Sequence, residues 1–172
     1  MALKGKLTPR SAGLKIYGRM PQPISQRVVR LAMPSFTLGA MPIITRPDGR
    51  LLLVRHSYMS GWGFPGGLVN RRERPEVAVA REAREEVNLR IQLIGEPAVT
   101  VDPFKQVIRV IYAAVPAAGA SPSDVHPASE EIEEVAWFDP ARLPHLAPEA
   151  NEALTTLRRA RGNERWPVDR RD

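Results

Sequence analysis

The segment Arg81-Glu82-Ala83-Arg84-Glu85-Glu86 sets three carboxylates within five positions. At about 100° per residue, an α-helix brings positions i, i+3 and i+4 onto one face, so Glu82, Glu85 and Glu86 would stand together. Like charges so placed repel, and no lysine is interspersed among them to relieve it. A divalent cation would relieve it. Hard oxygen donors suit Mg²⁺ or Mn²⁺, which bind through a few carboxylates together with substrate phosphates.

The flanking residues support a helix. Val77, Ala80, Ala83 and Val87 fall on the opposite stripe and are expected to face the core. Pro75 suits a first helical position. Arg74 is a poor N-cap, so surroundings must hold the helix start. Asn88 suits the left-handed residue that ends a helix. Just upstream, Gly66-Gly67 lets backbone approach a ligand closely and aim a carbonyl at a metal.

These residues carry a family resemblance. The Nudix box reads G-x5-E-x7-R-E-U-x-E-E-x-G-U, where U is apolar. Gly67, Glu73, Arg81, Glu82, Ala83, Glu85, Glu86 and Leu89 stand at that spacing. The lead-in Trp62-Gly63-Phe64-Pro65-Gly66-Gly67 is similar to the family's as well. Asn88 replaces the family's glycine, and this departure falls on the helix end rather than on a carboxylate. The resemblance implies an α/β fold, an α/β/α sandwich around a mixed β-sheet. It also implies metal ligation by Glu82, Glu85 and Glu86 with a backbone carbonyl near Gly66 and Gly67, and a loop-orienting salt bridge between Arg81 and Glu73.

Charge divides the 172-residue chain. Residues 1–35 hold seven of its 25 basic residues and none of its 19 acids, so the remainder is close to neutral. We read 1–35 as a basic N-terminal extension, partly disordered or helical, 36–162 as one domain, and 163–172 as a charged tail. The basic arm could contact RNA, phosphates or an acidic partner, or simply be solvated. No secretory h-region stands out and no apolar run is long enough for a membrane span, so the expected compartment is cytoplasmic. The absence of cysteine excludes disulfides, thiolate zinc and cysteine nucleophiles, and with the last the Nudix-related isoprenoid isomerases.

Along the chain, residues 24–33 have the spacing of a short amphipathic helix. Residues 36–45 and 50–55 read as strands joined at Pro47-Asp48-Gly49 into a hairpin. Pro42 marks an edge or bulge in the first, and the second is apolar enough to be buried on both faces. Residues 68–70 read as a short strand. Residues 90–101 form a strand broken at Gly95 and Pro97, and 104–115 a stronger one paired with it across Asp102-Pro103. Residues 116–129 are a long loop. The second half of 130–138 is a strand, and 148–161 an amphipathic helix with basic residues in its last turn. Strands flanked by two helices support a mixed sheet covered on both faces.

Hydrolysis of a phosphoanhydride needs charge neutralised on the leaving phosphate and a water activated. The candidate catalytic residues are Glu82, Glu85, Glu86, Arg81 and, as an alternative general base from the later segment, Glu131 or its neighbour Glu130. Arg55 and His56 are candidate phosphate ligands. Trp62 and Phe64 are candidates for stacking on a nucleobase, though packing is the commoner use of an aromatic there. Tyr58 is open to either role. The expected activity is Mg²⁺-dependent cleavage of a nucleoside diphosphate derivative or nucleoside triphosphate. The competing expectation is a nucleotide- or RNA-binding module, less suited to a box that keeps all its carboxylates. A homodimer is compatible with the resemblance.

Overall fold

The structure, a computed structural model, describes residues 35–162. The basic arm, its expected short helix and the charged tail lie outside the described residues. Strands β1 (Thr37–Ile44), β2 (Leu51–His56) and β3 (Gly67–Leu68) precede helix α1 (Pro75–Val87). Then come β4 (Ile91–Asp102), β5 (Val107–Pro116), β6 (Ile132–Phe138) and α2 (Pro148–Ala160).

The larger sheet runs β3-β1-β5-β4, and β2 pairs with β6 in a second, two-stranded sheet. The larger one is mixed, since β1 is antiparallel to β3 and parallel to β5. Side-chain alternation shows the layers. Ile43, Leu51, Leu53, Ile111 and Ala113 pack with Ala150, Ala153, Leu154 and Leu157 of α2. Their neighbours Ile44, Leu52, Val54 and Ala114 pack with Ala83 and Val87 of α1. Residues one apart therefore serve opposite helices, which makes the expected α/β/α sandwich.

The expected β1–β2 hairpin is corrected. Its turn forms, with the Arg46 N–H donating to the Arg50 carbonyl at 2.8 Å, but only the bridge Thr45–Leu51 follows. Each strand is committed elsewhere: β1 is paired with β5 over its whole length, and β2 with β6 from Leu51 to His56. Leu51 to Val54 are fully buried, as their unbroken apolarity requires. Pro42 causes no bulge. The β1–β5 register runs through it, and β3 reaches only Gly39 and Ala40 on the other edge. The β4–β5 hairpin does form, with a register shift between Ile94 and Ala98 where Gly95 and Pro97 fall.

Helix α1 has Pro75 in its first turn, no side-chain cap from Arg74, and Asn88 in the left-handed conformation at φ 54°. Its buried stripe differs from the expected one. Val77 and Ala80 are exposed, and the inward residues are Ala78, Val79, Ala83, Glu86 and Val87. The two most inward-lying carboxylates thus share the packed face instead of opposing it.

Candidate active site

Three features put Glu82 and Glu86 under protein while leaving Glu85 outside. Glu86 lies on the buried stripe in the helix's last turn, its side chain 7% exposed. Its Oε2 accepts a hydrogen bond from the Gly66 N–H at 3.0 Å. Glu82 lies against Gly67, where an added Cβ would come within 2.5 Å of Glu82 Oε1. Gly66 is equally constrained. It has φ 146°, and a Cβ there would meet the Ala40 carbonyl at 2.6 Å. Gly67 thus lets backbone lie directly on Glu82, and Gly66 lets the loop pass close over β1 while its N–H reaches Glu86. The contact Gly66 makes with Glu86 is an N–H donation, which leaves the backbone carbonyls of the glycine loop free of it.

Arg81 organises the other edge. Its Nε and Nη2 hold Glu73 at 2.9 and 3.0 Å, a bidentate pair. Its Nη1 reaches Glu82 at 2.7 Å and Glu85 at 3.0 Å, and its Nη2 donates to the Leu68 carbonyl at 3.2 Å. One guanidinium thereby ties the loop before α1, strand β3 and two box carboxylates together. The Arg81 guanidinium, and then the Asn70 N–H, hold the Glu73 carboxyl down to about 2. These carboxylates in turn raise Arg81 above its ordinary range. Glu82 is raised, first by burial and then by the charges of Glu86 and Glu85, against the opposing pull of Arg81.

The donor set fits a divalent cation of the Mg²⁺ type. Among the described residues no three His, Cys, Asp or Glu side chains already converge into a closed shell. Mg²⁺ does not need one, since it retains waters and takes substrate oxygens beside one or two carboxylates. Glu86 and Glu82 offer such oxygens from one rigid helix, under a glycine loop that no side chain can fill.

The remaining candidates separate by strand direction and burial. His56 ends β2 beside the cluster, 6% exposed, with Nε2 3.8 Å from Glu86 Oε1 and Nδ1 without a partner. Tyr58 follows, its ring 5.3 Å from that of His56. Burial raises the Tyr58 hydroxyl, and the charges of Glu131 and Glu86 add to this. Glu131 is exposed, and its carbonyl accepts from the Ser57 N–H at 2.9 Å. Glu130 is exposed too. Arg55 points away from the cluster. It stands opposite Glu134 in the β2–β6 ladder and pairs with Glu134 at 3.0 Å and Glu133 at 3.4 Å. The expected phosphate ligand is thus an exposed residue engaged by cross-strand acids. Phe64 is corrected as a stacking platform, because at 1% exposure it is part of the α2-side core. Trp62 is half-buried edge-on against Phe138, with ring centroids 4.7 Å apart.

Beside the carboxylates opens a cleft of about 180 Å³, whose lining includes Met41, His56, Tyr58, Met59, Gly66, Arg109 and Glu149. Sequence reasoning passed over Arg109. Its signal was there: a single charge in the otherwise apolar run Val107-Ile108-Arg109-Val110-Ile111.

The sequence model of the NUDIX domain matches residues 36–160. The chain belongs to the Nudix family and is a hydrolase of its pyrophosphohydrolase class. Over 117 residues it is 28% identical to a MutT-like protein of Streptomyces ambofaciens, covering 68% of this chain and 73% of that one. It is 30% identical over 157 residues to the NAD-capped RNA hydrolase NudC of Deinococcus radiodurans, covering 86% of this chain and 50% of that protein. A Nudix hydrolase from Nitrosomonas europaea superposes with a TM-score of 0.62 at 21% identity, over 76% of this chain and 75% of that one, a likeness of fold. No helix among the described residues is long and apolar enough to cross a membrane.

Proposed function

We propose that the protein is a Mg²⁺-dependent hydrolase of the pyrophosphate bond in a nucleoside diphosphate derivative or a nucleoside triphosphate. The observation that carries this reading is the position of Glu86, a carboxylate buried on a helix's packed face in its last turn with no Lys or Arg side chain bonded to it. Burying a charge in that way costs stability unless a cation compensates it. An ordinary core would place an apolar residue there.

A bound divalent cation supplies neutralisation of the leaving phosphate and acidifies an attacking water. The chain's own residues do the rest. Glu86 and Glu82 hold their oxygens at a fixed spacing on α1. Arg81 clamps Glu82 and Glu85 to the loop through Glu73, so that helix and glycine loop move as one body. His56, nearly buried, borders Glu86 and shields it from water. Proton acceptance falls to a box glutamate or to Glu131. That Mg²⁺ rather than Mn²⁺ is the working ion is part of the proposal, as is the assignment of these residues. So is a nucleotide or RNA 5′ end as substrate.

The test is hydrolysis of a panel with Mg²⁺, with Mn²⁺ and with chelator. It holds nucleoside triphosphates, dinucleotides including NAD, ADP-ribose, nucleotide sugars, and NAD-capped and 5′-triphosphate RNA. Turnover should need the metal and fall more than about 100-fold in Glu86→Gln, because losing a ligand exceeds the usual cost of disturbing a ligand's neighbour. That variant keeps an acceptor for the Gly66 N–H, so it should fold. No turnover by folded wild-type protein on any member would refute the hydrolase reading and favour a nucleotide-binding module.

A further inference from the structure

Residues 61–66 cross the site as a strap of backbone, and Trp62 fastens one end of it. The Trp62 N–H donates to the His145 carbonyl at 2.9 Å, and the Trp62 carbonyl accepts from the Ala147 N–H at 2.9 Å. These bonds make a parallel bridge to Leu146, just ahead of α2. Gly61 permits the close approach: at its φ of 88°, a Cβ would stand 3.0 Å from the Ala147 nitrogen. The Trp62 ring stands edge-on to Phe138, the last residue of β6. Gly63 then exchanges hydrogen bonds with Val54 of β2 at 2.8 and 2.9 Å. At the far end of the strap the Gly66 N–H reaches Glu86. One short run of chain therefore joins the entry of α2, β6 and β2 to the buried carboxylate of α1.

The strap has little ladder of its own. Among the described residues, Trp62 and Gly63 make isolated bridges and Phe64 to Gly66 lie in no strand. Side chains must then fix where it lies. Phe64 does so from within the α2-side core, and Trp62 packs against that same core. The Trp62 ring is not in the cleft beside the carboxylates. Gly63, next to it, lines that cleft, and so does Ala147, which is bonded to its carbonyl, but Trp62 does not. A ring set behind the wall stacks on nothing that enters. Its reach toward the chemistry is through the backbone. A ligating carboxylate is oriented by the hydrogen bonds it accepts, and the strap carries such a donor to Glu86 Oε2.

We propose that Trp62 is a positioning residue for the carboxylate of Glu86, acting through the strap and the Gly66 N–H without touching substrate. Its consequence for metal binding rests on the hydrolase reading. The mechanical link from the Trp62 ring to the Gly66–Glu86 bond does not.

The test compares Trp62→Leu and Trp62→Phe with wild type. Leucine keeps apolar bulk and loses the ring, whereas phenylalanine keeps an edge against Phe138. The metal-free arm follows amide hydrogen exchange by NMR. Exchange at Gly66 should quicken about tenfold in Trp62→Leu, the upper end of what an aromatic pair is worth, while the Leu154 amide of α2 keeps its rate. Trp62→Phe should restore most of the protection. Phe138→Leu, which removes the ring's partner, should reproduce the change even if Trp62→Leu does not fold. Gly66 exchange that stays at the wild-type rate in the folded variants would overturn the proposal. The metal arm titrates Mn²⁺ by calorimetry. Affinity should fall about tenfold in Trp62→Leu, the low end for a group that orients a ligand, and recover in Trp62→Phe. KM for the best nucleotide of the panel, at saturating metal, should stay within about twofold. A raised nucleotide KM at unchanged Mn²⁺ affinity would make Trp62 a stacking residue and overturn the proposal as well. Wild-type protein that binds no Mn²⁺, with Gly66 exchange responding as expected, would sink the hydrolase reading and keep the link.

Discussion

Helices α1 and α2 have the same length and the same kind of start, and they cover opposite faces of one β layer. Each spans 13 residues, has proline in its first turn and lacks a side-chain N-cap. They differ in what they bury. α2 buries Ala150, Ala153, Leu154 and Leu157, so its inner face is apolar throughout. α1 buries Ala78, Val79, Ala83 and Val87 around Glu86. Area removed from water is the main stabilising term, and α2 supplies it without interruption. α1 gives part of its face to carboxylates that gain little from burial in the metal-free protein. One helix anchors the fold, and the other gives up stability at the site where chemistry is expected.

The largest effect separating the two lies on α2. Leu157 is fully buried among the sheet's α2-side residues. Leu157→Ala should lower stability by about 2–5 kcal/mol, the range for truncating a buried leucine. Metal affinity, measured by calorimetry below the new melting temperature, should hold. A large fall in metal affinity in the folded variant would show that the two faces are coupled and that the division of labour is wrong.

The next effect concerns the clamp that holds the burdened helix in place. The Glu73 carboxyl sits at about 2 instead of its ordinary 4.5, chiefly through Arg81. A carboxylate lowered on folding stabilises the native state above its unfolded value and loses that contribution as pH falls through the folded one. The advantage of wild type over Glu73→Gln should therefore be full above about pH 5 and fade between 4.5 and about 2. Melting temperatures of both proteins across that range would show it. A gap between them that is independent of pH would mean that Glu73 acts by shape and not by charge.

What was legible in the sequence follows the same division. Spacing alone put Glu82, Glu85 and Glu86 on one helix and located its ends, because Pro75, Asn88 and the glycines are local signals. The composition of 51–54 announced a strand buried on both faces. Three readings failed because they depend on what lies opposite. Val77 and Ala80 looked like a core stripe since apolar residues are normally inside, yet the glycine loop draws Glu86 inward in their place. β1 and β2 looked like a hairpin since their turn is local, but the choice of partner belongs to β5 and β6. Phe64 stood among the stacking candidates although packing was the commoner expectation, and the core that closes over it comes from residues far along the chain. Arg109 was missed for a related reason. A charge in a strand reads as solvent-facing until the structure shows a cleft, not open solvent, in front of it.

The smallest effect asks whether the chain's departure from the family box matters to chemistry at all. Asn88 stands where the family has glycine, at φ 54°, and its N–H and that of Leu89 close the helix on Arg84 and Ala83 at 3.1 Å. Those bonds are made by backbone, so a glycine would make them too. The left-handed conformation costs most residues about 1–2 kcal/mol, and asparagine less. Asn88→Gly should then change stability by less than about 1 kcal/mol, towards the more stable side, while Asn88→Val loses about 1–2 kcal/mol. Metal affinity and turnover should be unchanged in the glycine variant, since neither Glu82 nor Glu86 is moved by it. A fall in metal affinity in Asn88→Gly, at undiminished stability, would assign the asparagine amide a place in the site. The comparison between the two helices would then have to include the end of α1 as well as its face.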